Sequence, residues 1–484
     1  MSECHALPFI CEVCLKDFPK LRTGHLSNSK STCALCLGLL EAELISSSCK
    51  EAAVKLNEAK YENAQSFHVS VSFPISCLLR VSLAHSLANK NCTFAFIEDA
   101  FRTRMRIAYS EPLQKLLQLP LDPKSDLMVQ FELTNGDLEQ SDIEFLSRQL
   151  KIQCPFSDGR KRRADHSPLR TLTRAKLTDA VKMLKPEIAA KYIWENETNC
   201  EKKIVLTREP LYLGGRYCKF SRSLPQSPWL VERQSNMQIS VSQLVCDGIS
   251  EAFRADNYKF MASGREDLDV RMLGDGRPFA VQLINPKRVP ENVDFADLMR
   301  EVNCKTKDAE LKGLGRLHRS DLGLLRVGER DKSKQYTALC RSSEPIDQQK
   351  LDKLTKLGEV VLDQKTPVRV LKRRPLATRK RTVYGLFALA VSPNTFQLQL
   401  TTQAGTYVKE FVHGDFGRTR PSLAELLEVD CCVEILELDV EQVEMDWPPE
   451  FDAGKKESLD ADIADHNQCI PSNDEMNDSD AMVD

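Results

Sequence analysis

Hydrophobic and polar positions follow two different periods along this 484-residue chain. Strict alternation is typical of half-buried strands, whereas a repeat every three or four residues is typical of amphipathic helices. Strands are predicted at SFHVSVSF (66–73), DLMVQFEL (126–133), KIVLTREPLYL (203–213), FQLQLTT (396–402) and CVEILELDV (432–440). Helices are predicted at 39–66, 241–253 and 292–303. The mixture indicates an α/β (α+β) protein with two α/β units, at roughly 65–212 and 213–448.

The segment 262–279, ASGREDLDVRMLGDGRPF, is the most strongly charged part of the second unit. Its Asp275-Gly276 pair lies between the runs LDVRML and FAVQLI, which predicts a β-hairpin. Asp267 would then lie at the mouth of that hairpin, on a loop that follows Gly264. Two interpretations are open: a salt-bridged surface turn, or a carboxylate that nearby cations keep ionised as a nucleophile or base.

Two Cys-x-x-Cys pairs near the N-terminus are separated by eighteen residues. They consist of Cys11, Cys14, Cys33 and Cys36. Each pair directs two thiolates at one point, so together they supply the tetrahedral ligands of a structural zinc site. The alternative is four thiols without a metal, and the spare ligand candidates are Cys4, His25 and Cys49. A zinc deaminase would need a His-x-Glu and a Pro-Cys-x-x-Cys, and neither occurs.

Charge is unevenly distributed, although the net charge is only −3. The segment 449–484 holds eleven acidic residues and two lysines, which leaves the rest at about +6. Basic residues cluster at 160–163 (RKRR), 365–381 and 409–420, which suits RNA or DNA unless these are simply solvated faces. The RKRR cluster could equally be a nuclear import signal or a plain loop. The acidic tail is expected to be disordered.

No apolar run has the length of a transmembrane helix or the form of a signal peptide, so we expect an intracellular protein. The 17 cysteines then favour metal binding or reduced thiols over a disulfide framework. The motifs GxGxxG after a strand, GxxxxGK[ST], HExxH and GxSxG do not occur, which argues against a nucleotide cofactor.

Three segments of the second unit could meet in one basic cleft. They are the Asp267 loop, KSKQYTALC with Tyr336, and GTYVKEFVHGDFGRT with Lys409. An aromatic ring among lysines is typical of single-stranded nucleic acid binding, because the ring stacks on a base while the cations bind phosphates. Taken singly, Tyr336 could be a half-buried strand tyrosine and Lys409 a surface lysine. Together the three residues would supply a nucleophile, a stacking ring and a counter-ion.

The chain resembles the pseudouridine synthases of the archaeal and eukaryotic Pus-ten type, which act on uridines 54 and 55 of tRNA. The resemblance extends over nearly the whole chain, to about Leu438. The motifs that carry it are GGRYCKFSRSLPQSPW, SGREDLDVRMLGDGRPFAVQLINP, KSKQYTALC, QKTPVRVLKRR and GTYVKEFVHGDFGRTRPS, together with the four-cysteine zinc site. They occur in the order typical of the family.

The resemblance implies an isomerase that converts uridine to pseudouridine without an organic cofactor, at position 55 of the tRNA T-arm and with position 54 as a second candidate. It implies a catalytic domain built on a mixed, largely antiparallel sheet. Asp267 would be the obligatory aspartate, and Tyr336 would pack on the target uracil. Val408 and Lys409 would be the apolar and basic pair beneath them. Lys409 or Arg265 would keep Asp267 ionised.

Four domains are expected: a zinc ribbon at 1–40, a THUMP-containing accessory RNA-binding domain at 41–212, the catalytic domain at 213–448 and the acidic tail at 449–484. We expect a monomer in the nucleus and cytoplasm that binds tRNA, and other structured RNAs as further candidates, but no membrane. The segment LPQSPW is interpreted as a structural turn. The alternative function is a zinc-ribbon RNA-binding protein without catalysis that acts in RNA processing. A methyltransferase or thiolase is disfavoured because a cofactor-binding glycine loop is missing.

Overall fold

The computed structural model describes residues 9–18, 32–87, 94–150, 200–228 and 239–452. They divide into two compact units, which separate in the sequence between Glu209 and Pro210. The RKRR cluster, the candidate ligands Cys4 and His25 and the tail beyond Asp452 lie outside the described residues. No helix in the described ranges combines the length and the apolar character needed to cross a membrane.

The first unit packs helices against a three-stranded sheet. The helices within its described residues are α1 (Glu12–Leu15), α2 (Ala42–Ala59), α3 (Ile75–Leu87), α4 (Phe94–Leu117) and α5 (Gly136–Leu150). Its strands are β1 (His68–Ser72), β2 (Leu127–Thr134) and β3 (Glu201–Arg208). The central strand β2 is parallel to β1 and antiparallel to β3, and its alternating residues are buried as the sequence pattern predicts.

The second unit contains a ten-stranded mixed sheet. Its strands are β4 (Leu211–Lys219), β5 (Asn257–Ala262), β6 (Val270–Ile284), β7 (Ala309–Leu317), β8 (Lys334–Ser342), β9 (Val360–Lys365), β10 (Thr378–Ser392), β11 (Thr395–Thr402), β12 (Thr419–Arg420) and β13 (Val433–Val443). The order is β12-β9-β10-β11-β8-β13-β6-β4-β7, and β5 also pairs with β6. The pair β13–β6 is parallel and the others are antiparallel. The prediction of a mixed, largely antiparallel sheet is therefore confirmed.

Most helices of the second unit bury their apolar faces in two separate cores. The helices are α6 (Val241–Ala252), α7 (Phe295–Cys304), α8 (Leu322–Asp331), α9 (Gln348–Thr355), α10 (Val408–His413) and α11 (Leu423–Leu427). One core joins α6 and α7 to β4, β6 and β7, and the other joins α9, α10 and α11 to β8–β11 and β13. Helix α8 contributes Leu325 to a third, smaller cluster. The predicted helices at 241–253 and 292–303 are confirmed. Ser422 and Glu425 form a capping box that starts α11.

The run 203–213, predicted as one strand, is instead two strands in two different sheets. β3 ends at Arg208 and β4 begins at Leu211, so the alternating pattern crosses the boundary between the units. Pro210 lies at the break, and proline cannot donate a backbone hydrogen bond to a strand ladder. The alternating pattern in the sequence continues past Pro210, although the strand pairing stops there.

The hairpin predicted at Asp275-Gly276 is wrong. β6 continues through this pair. Val270–Met272 pairs with β13, and Met272 also pairs with Lys219 of β4, whose pairing with β6 resumes at Arg277. The residues in between bulge out of the ladder. Gly276 has φ +82°, and a Cβ there would lie 2.6 Å from the Tyr217 carbonyl oxygen. The glycine therefore permits a close approach of two strands rather than a reversal of the chain.

The hairpin that does form connects β5 and β6. Ala262 at the end of β5 pairs with Phe279 on β6, and the intervening chain includes the loop 263–269. Asp267 thus lies on a loop at the open end of a hairpin, but in a different hairpin from the one the Asp-Gly signal indicated.

Candidate active site

The buried side chain of Glu266 fixes the position of the Asp267 loop. The buried Glu266 carboxylate accepts hydrogen bonds from Arg277 Nε at 2.7 Å and from the Tyr217 hydroxyl at 2.9 Å. Arg277 Nη1 also donates to the Ser263 carbonyl oxygen at 2.9 Å. Glu266 points into the core, whereas the Asp267 side chain is 42% exposed. The charge-rich sequence therefore divides into one buried anchor and one accessible carboxylate.

A buried lysine fixes the backbone of Asp267. Lys219 Nζ donates to the carbonyl oxygens of Asp267 at 3.1 Å, Leu268 at 2.8 Å and Leu224 at 3.0 Å. Burial lowers the pKa of Lys219, because it disfavours the charged amine, and nearby carboxylates oppose that shift. Three carbonyl dipoles solvate this ammonium group, so the loop has little freedom to move.

The motif GGRYCKFSRSLPQSPW supports the same loop. The amide of Gln226 donates to the Gly264 carbonyl oxygen at 3.1 Å and to the Tyr217 hydroxyl at 2.6 Å. Lys219 and Tyr217 come from the same motif. The segment LPQSPW is interpreted from the sequence as a structural turn, and its glutamine, Gln226, binds the start of the Asp267 loop.

Two cations flank the Asp267 carboxylate. Its Oδ2 lies 3.4 Å from Lys409 Nζ and 3.2 Å from Arg369 Nη1. Lys409 also donates to both carboxylate oxygens of Asp269 at 2.8 Å, so the predicted partner of Asp267 is shared between two acids. Arg265 is exposed and makes no hydrogen bond or ion pair with the described residues, so Arg369 takes the place expected for Arg265.

Arg369 is held by a buried acid that sequence reasoning missed. Its Nε lies 2.7 Å from Glu410 Oε1, and the Glu410 side chain is only 2% exposed. Burial would lower the pKa of Arg369, but Glu410 and then Asp267 raise it above its ordinary value. Glu410 is adjacent to Lys409 on α10. This short helix therefore sets the position of both cations, one directly and one through an ion pair.

The start of α10 is fixed by Gln364, which lies buried on β9. Its side-chain amide donates to the Tyr407 carbonyl oxygen at 3.0 Å and accepts from the Tyr407 backbone N–H at 3.0 Å. Val408, the first residue of α10, is buried in the core beneath the helix. Val408 lies next to Lys409 as predicted, and its burial means that it supports the site from within the core.

Tyr336 lies on β8, opposite Leu400 of β11 and Val440 of β13. Its ring is half-buried against the second core. Burial raises the pKa of the Tyr336 phenol, and the charges of Asp267 and Glu266 raise it further. The phenol therefore stays protonated at neutral pH. The structure brings Lys409 and Arg369 into ion-pairing distance of Asp267, and it places Tyr336 on β8, which β13 separates from β6, the strand that follows the Asp267 loop.

The cysteine cluster of the first unit has the donor set of a zinc site. The Sγ atoms of Cys11, Cys14, Cys33 and Cys36 all lie within 4.8 Å of one another and are buried. Cys11 Sγ and Cys36 Sγ are 3.8 Å apart, close to the edge of about 3.8 Å expected for a zinc tetrahedron with Zn–S bonds of about 2.3 Å.

Hydrogen bonds within the cluster favour the thiolate at Cys33, whereas the hydrogen bonds with Cys11 raise the pKa of Cys14 and of Cys36. Hydrogen bonds from the other three cysteines lower the pKa of Cys33, and the hydrogen bond from Cys11 has the largest effect. The Cys11 backbone N–H also donates to Cys33 Sγ at 3.3 Å. Cys49, a spare ligand candidate, lies outside the cluster and donates to the Tyr109 carbonyl oxygen. The four predicted cysteines therefore suit a structural zinc ion.

Comparison with known proteins gives a consistent result. A family model described as Pus10, C-terminal matches residues 212–444. The tRNA pseudouridine synthase Pus10 of Homo sapiens is 33% identical over 449 residues, which cover 89% of this chain and 81% of the human protein. The protein of the same name from Thermofilum pendens is 38% identical over 244 residues, 50% of this chain and 54% of its own length. A crystal structure of a Cbf5-Nop10-Gar1 complex covers 47% of each chain at 15% identity, and its TM-score of 0.26 is too low to support an inference.

The two sequence relatives are both named as synthases of pseudouridine in tRNA. The chain belongs to the Pus10 family. The family match covers the Asp267 loop, the Tyr336 strand and the Lys409 helix.

Proposed function

We propose that this chain is an isomerase that converts uridine to pseudouridine in the T-arm of tRNA, at position 55 and with position 54 as a second target. Asp267 is the nucleophile. The observation that carries this proposal is the accessible Asp267 carboxylate, which a braced loop holds between Lys409 and Arg369 in a member of the Pus10 family.

Each residue has a role in the proposed reaction. The target uridine leaves the base stack at a cost of a few kcal/mol, and stacking on Tyr336 offsets about 1–3 kcal/mol of that cost. Ionised Asp267 attacks the sugar or the base, and the bond that it forms breaks again before the product leaves, which restores the carboxylate. The bond from N1 to the ribose C1′ breaks, the uracil rotates, and C5 bonds to C1′. C5 then loses its proton and N1 ends with one.

The reaction conserves every atom and electron, so the proposal needs no redox or group-transfer cofactor. Lys409 and Arg369 pair with the Asp267 carboxylate, and Glu410 keeps Arg369 in reach of it. The exposed basic residues next to Arg369 suit the RNA backbone; they are Lys365, Lys372, Arg373, Arg374 and Lys380.

The remaining features complete the proposal. Zinc on the four cysteines stabilises the N-terminal ribbon and takes no part in the reaction. The rest of the first unit is a THUMP-containing accessory domain that binds tRNA, and other structured RNAs are further candidates. The protein acts as a monomer in the nucleus and cytoplasm.

Incubation of the purified full chain with an unmodified tRNA transcript tests the function, with carbodiimide mapping to locate pseudouridine. We expect the modification at U55, and a transcript with cytidine at 55 should reveal whether U54 is modified independently. Binding of the transcript without any pseudouridine would instead support the non-catalytic RNA-binding alternative.

A further inference from the structure

Phe416 is the most exposed large apolar side chain among the described residues, with 94% of its surface accessible. It lies in the turn 414–417, which joins α10 to β12. Its ring makes no aromatic or cation–π contact with the described residues. A single exposed apolar side chain is common on protein surfaces, so the exposure of Phe416 alone would not indicate a binding site.

The backbone of this turn is strained. Asp415 has φ 45° and ψ 52°, and Phe416 has φ 56° and ψ 37°. Gly414 and Gly417 on either side also have positive φ, at 77° each. Two consecutive residues with a Cβ in the left-handed region are unfavourable, and such strain persists only where the surroundings impose it.

Asp415 is the residue that imposes this conformation. Its backbone N–H donates to His413 Nδ1 at 3.0 Å, and its Oδ2 accepts from the Val368 N–H at 3.2 Å. Val368 directly precedes Arg369, which contacts Asp267. Lys409 lies in the first turn of α10, and Gly414 at the start of the 414–417 turn is about 7.5 Å further along the helix axis. The Phe416 ring is therefore held in solvent at a fixed position relative to the catalytic carboxylate.

The residues that follow Phe416 in the chain are basic rather than apolar. Arg418 pairs with Asp415 at 3.5 Å and Arg420 with Glu425 at 3.7 Å, and their side chains remain 29% and 71% exposed. The Lys365 N–H donates to the Arg418 carbonyl oxygen at 2.9 Å. A rigid aromatic ring among cations fits an unpaired nucleobase, which offers a flat face next to a phosphate. A protein partner that buried Phe416 would have to desolvate those cations as well.

We propose that Phe416 is a second stacking platform, on which an unpaired base of the RNA packs beside the uridine bound at Asp267. The proposal rests on the proposed function, because it takes the RNA substrate as the ligand. Tyr336 receives the reacting base, and Phe416 fixes a neighbouring nucleotide.

Binding of a tRNA transcript to the full chain, measured by fluorescence anisotropy at several salt concentrations, tests this role. Loss of one stacking contact should make Phe416→Ala bind roughly 5- to 150-fold more weakly. Phe416→Leu should be similarly weak, because leucine has no flat face, whereas Phe416→Trp should bind at least as tightly as the native chain. The salt dependence should not change, since no cation is removed. The matched control is Phe387→Ala, an exposed phenylalanine on β10, which should bind normally.

Native-like binding by Phe416→Ala would overturn the proposal. Full recovery with Phe416→Leu would also overturn it, because the contact would then be apolar without being a stack. A transcript that gains no pseudouridine, together with selective weakening by Phe416→Ala, would contradict the proposed function and leave the stacking platform standing.

Discussion

Replacement of Glu266 by glutamine should destabilise the second unit strongly, although the change keeps the side chain's shape. Glu266 and Arg277 form an ion pair at 2.7 Å with side chains 0% and 2% exposed. The substitution leaves the guanidinium buried without its counter-charge, and breaking such a pair costs about 3–5 kcal/mol. A domain of about 240 residues loses about 2–4 °C in Tm per kcal/mol, so Tm should fall by about 6–20 °C.

Calorimetry on the full chain would measure this shift, and Glu434→Gln is the matched control. Glu434 pairs with Arg341 on the surface, where both side chains are more than half exposed. An exposed pair contributes about 0–1 kcal/mol, so the control should move Tm by less than about 4 °C. Because Glu266 anchors the Asp267 loop, its replacement should also lower kcat. Equal shifts for the two variants would refute the idea that this buried pair supports the site.

Three further outcomes follow from the geometry. Arg369→Ala should lower kcat by about tenfold or more and reduce stability, because it leaves the buried Glu410 carboxylate without its counter-charge. Single-turnover kinetics would measure the loss of activity. Arg374→Ala changes an exposed arginine and is the control, which should affect tRNA binding alone. Mass spectrometry should find one zinc ion per chain, and a strong chelator should remove it and lower the unfolding temperature of the first unit. Burial would raise the pKa of Asp269, but Lys409 lowers it below the unfolded value near 3.9. The stability that the Asp269–Lys409 pair contributes is therefore present above about pH 4 and is lost as pH falls through the folded pKa. In denaturant titrations at several pH values, Asp269→Asn should weaken this dependence of the unfolding free energy on acid pH.

Periodicity predicted the elements well because one face of each is buried. The alternating residues of β2 and β11 and the capping box of α11 are local signals, and the structure matches them. The Asp-Gly signal failed at Gly276 because φ above zero is required in bulges as well as in turns. Local sequence gives the backbone requirement but not the strand that pairs beside it.

The parts of the candidate site that sequence reasoning missed all depend on distant pairing. Arg369 is one basic residue among many in the segment 365–381, and nothing local shows that it reaches Glu410, which lies 41 residues further along the chain. Lys219 and Gln226 bind backbone carbonyl groups, and because every residue has one, these partners cannot be recognised from the sequence. Asp267, Tyr336 and Lys409 were accessible to sequence reasoning because they lie in long motifs.

Pseudouridine formation by Asp267→Asn tests the central claim most directly. The amide keeps the size of the side chain but cannot carry the charge that Lys409 and Arg369 stabilise. Asp275→Asn, which changes an exposed aspartate in the nearby bulge, is the matched control. We expect Asp267→Asn to bind the tRNA transcript like the native chain and to form no detectable pseudouridine, while Asp275→Asn remains active. Pseudouridine formation by Asp267→Asn at a rate near that of the native chain would contradict the assignment of Asp267 as the nucleophile.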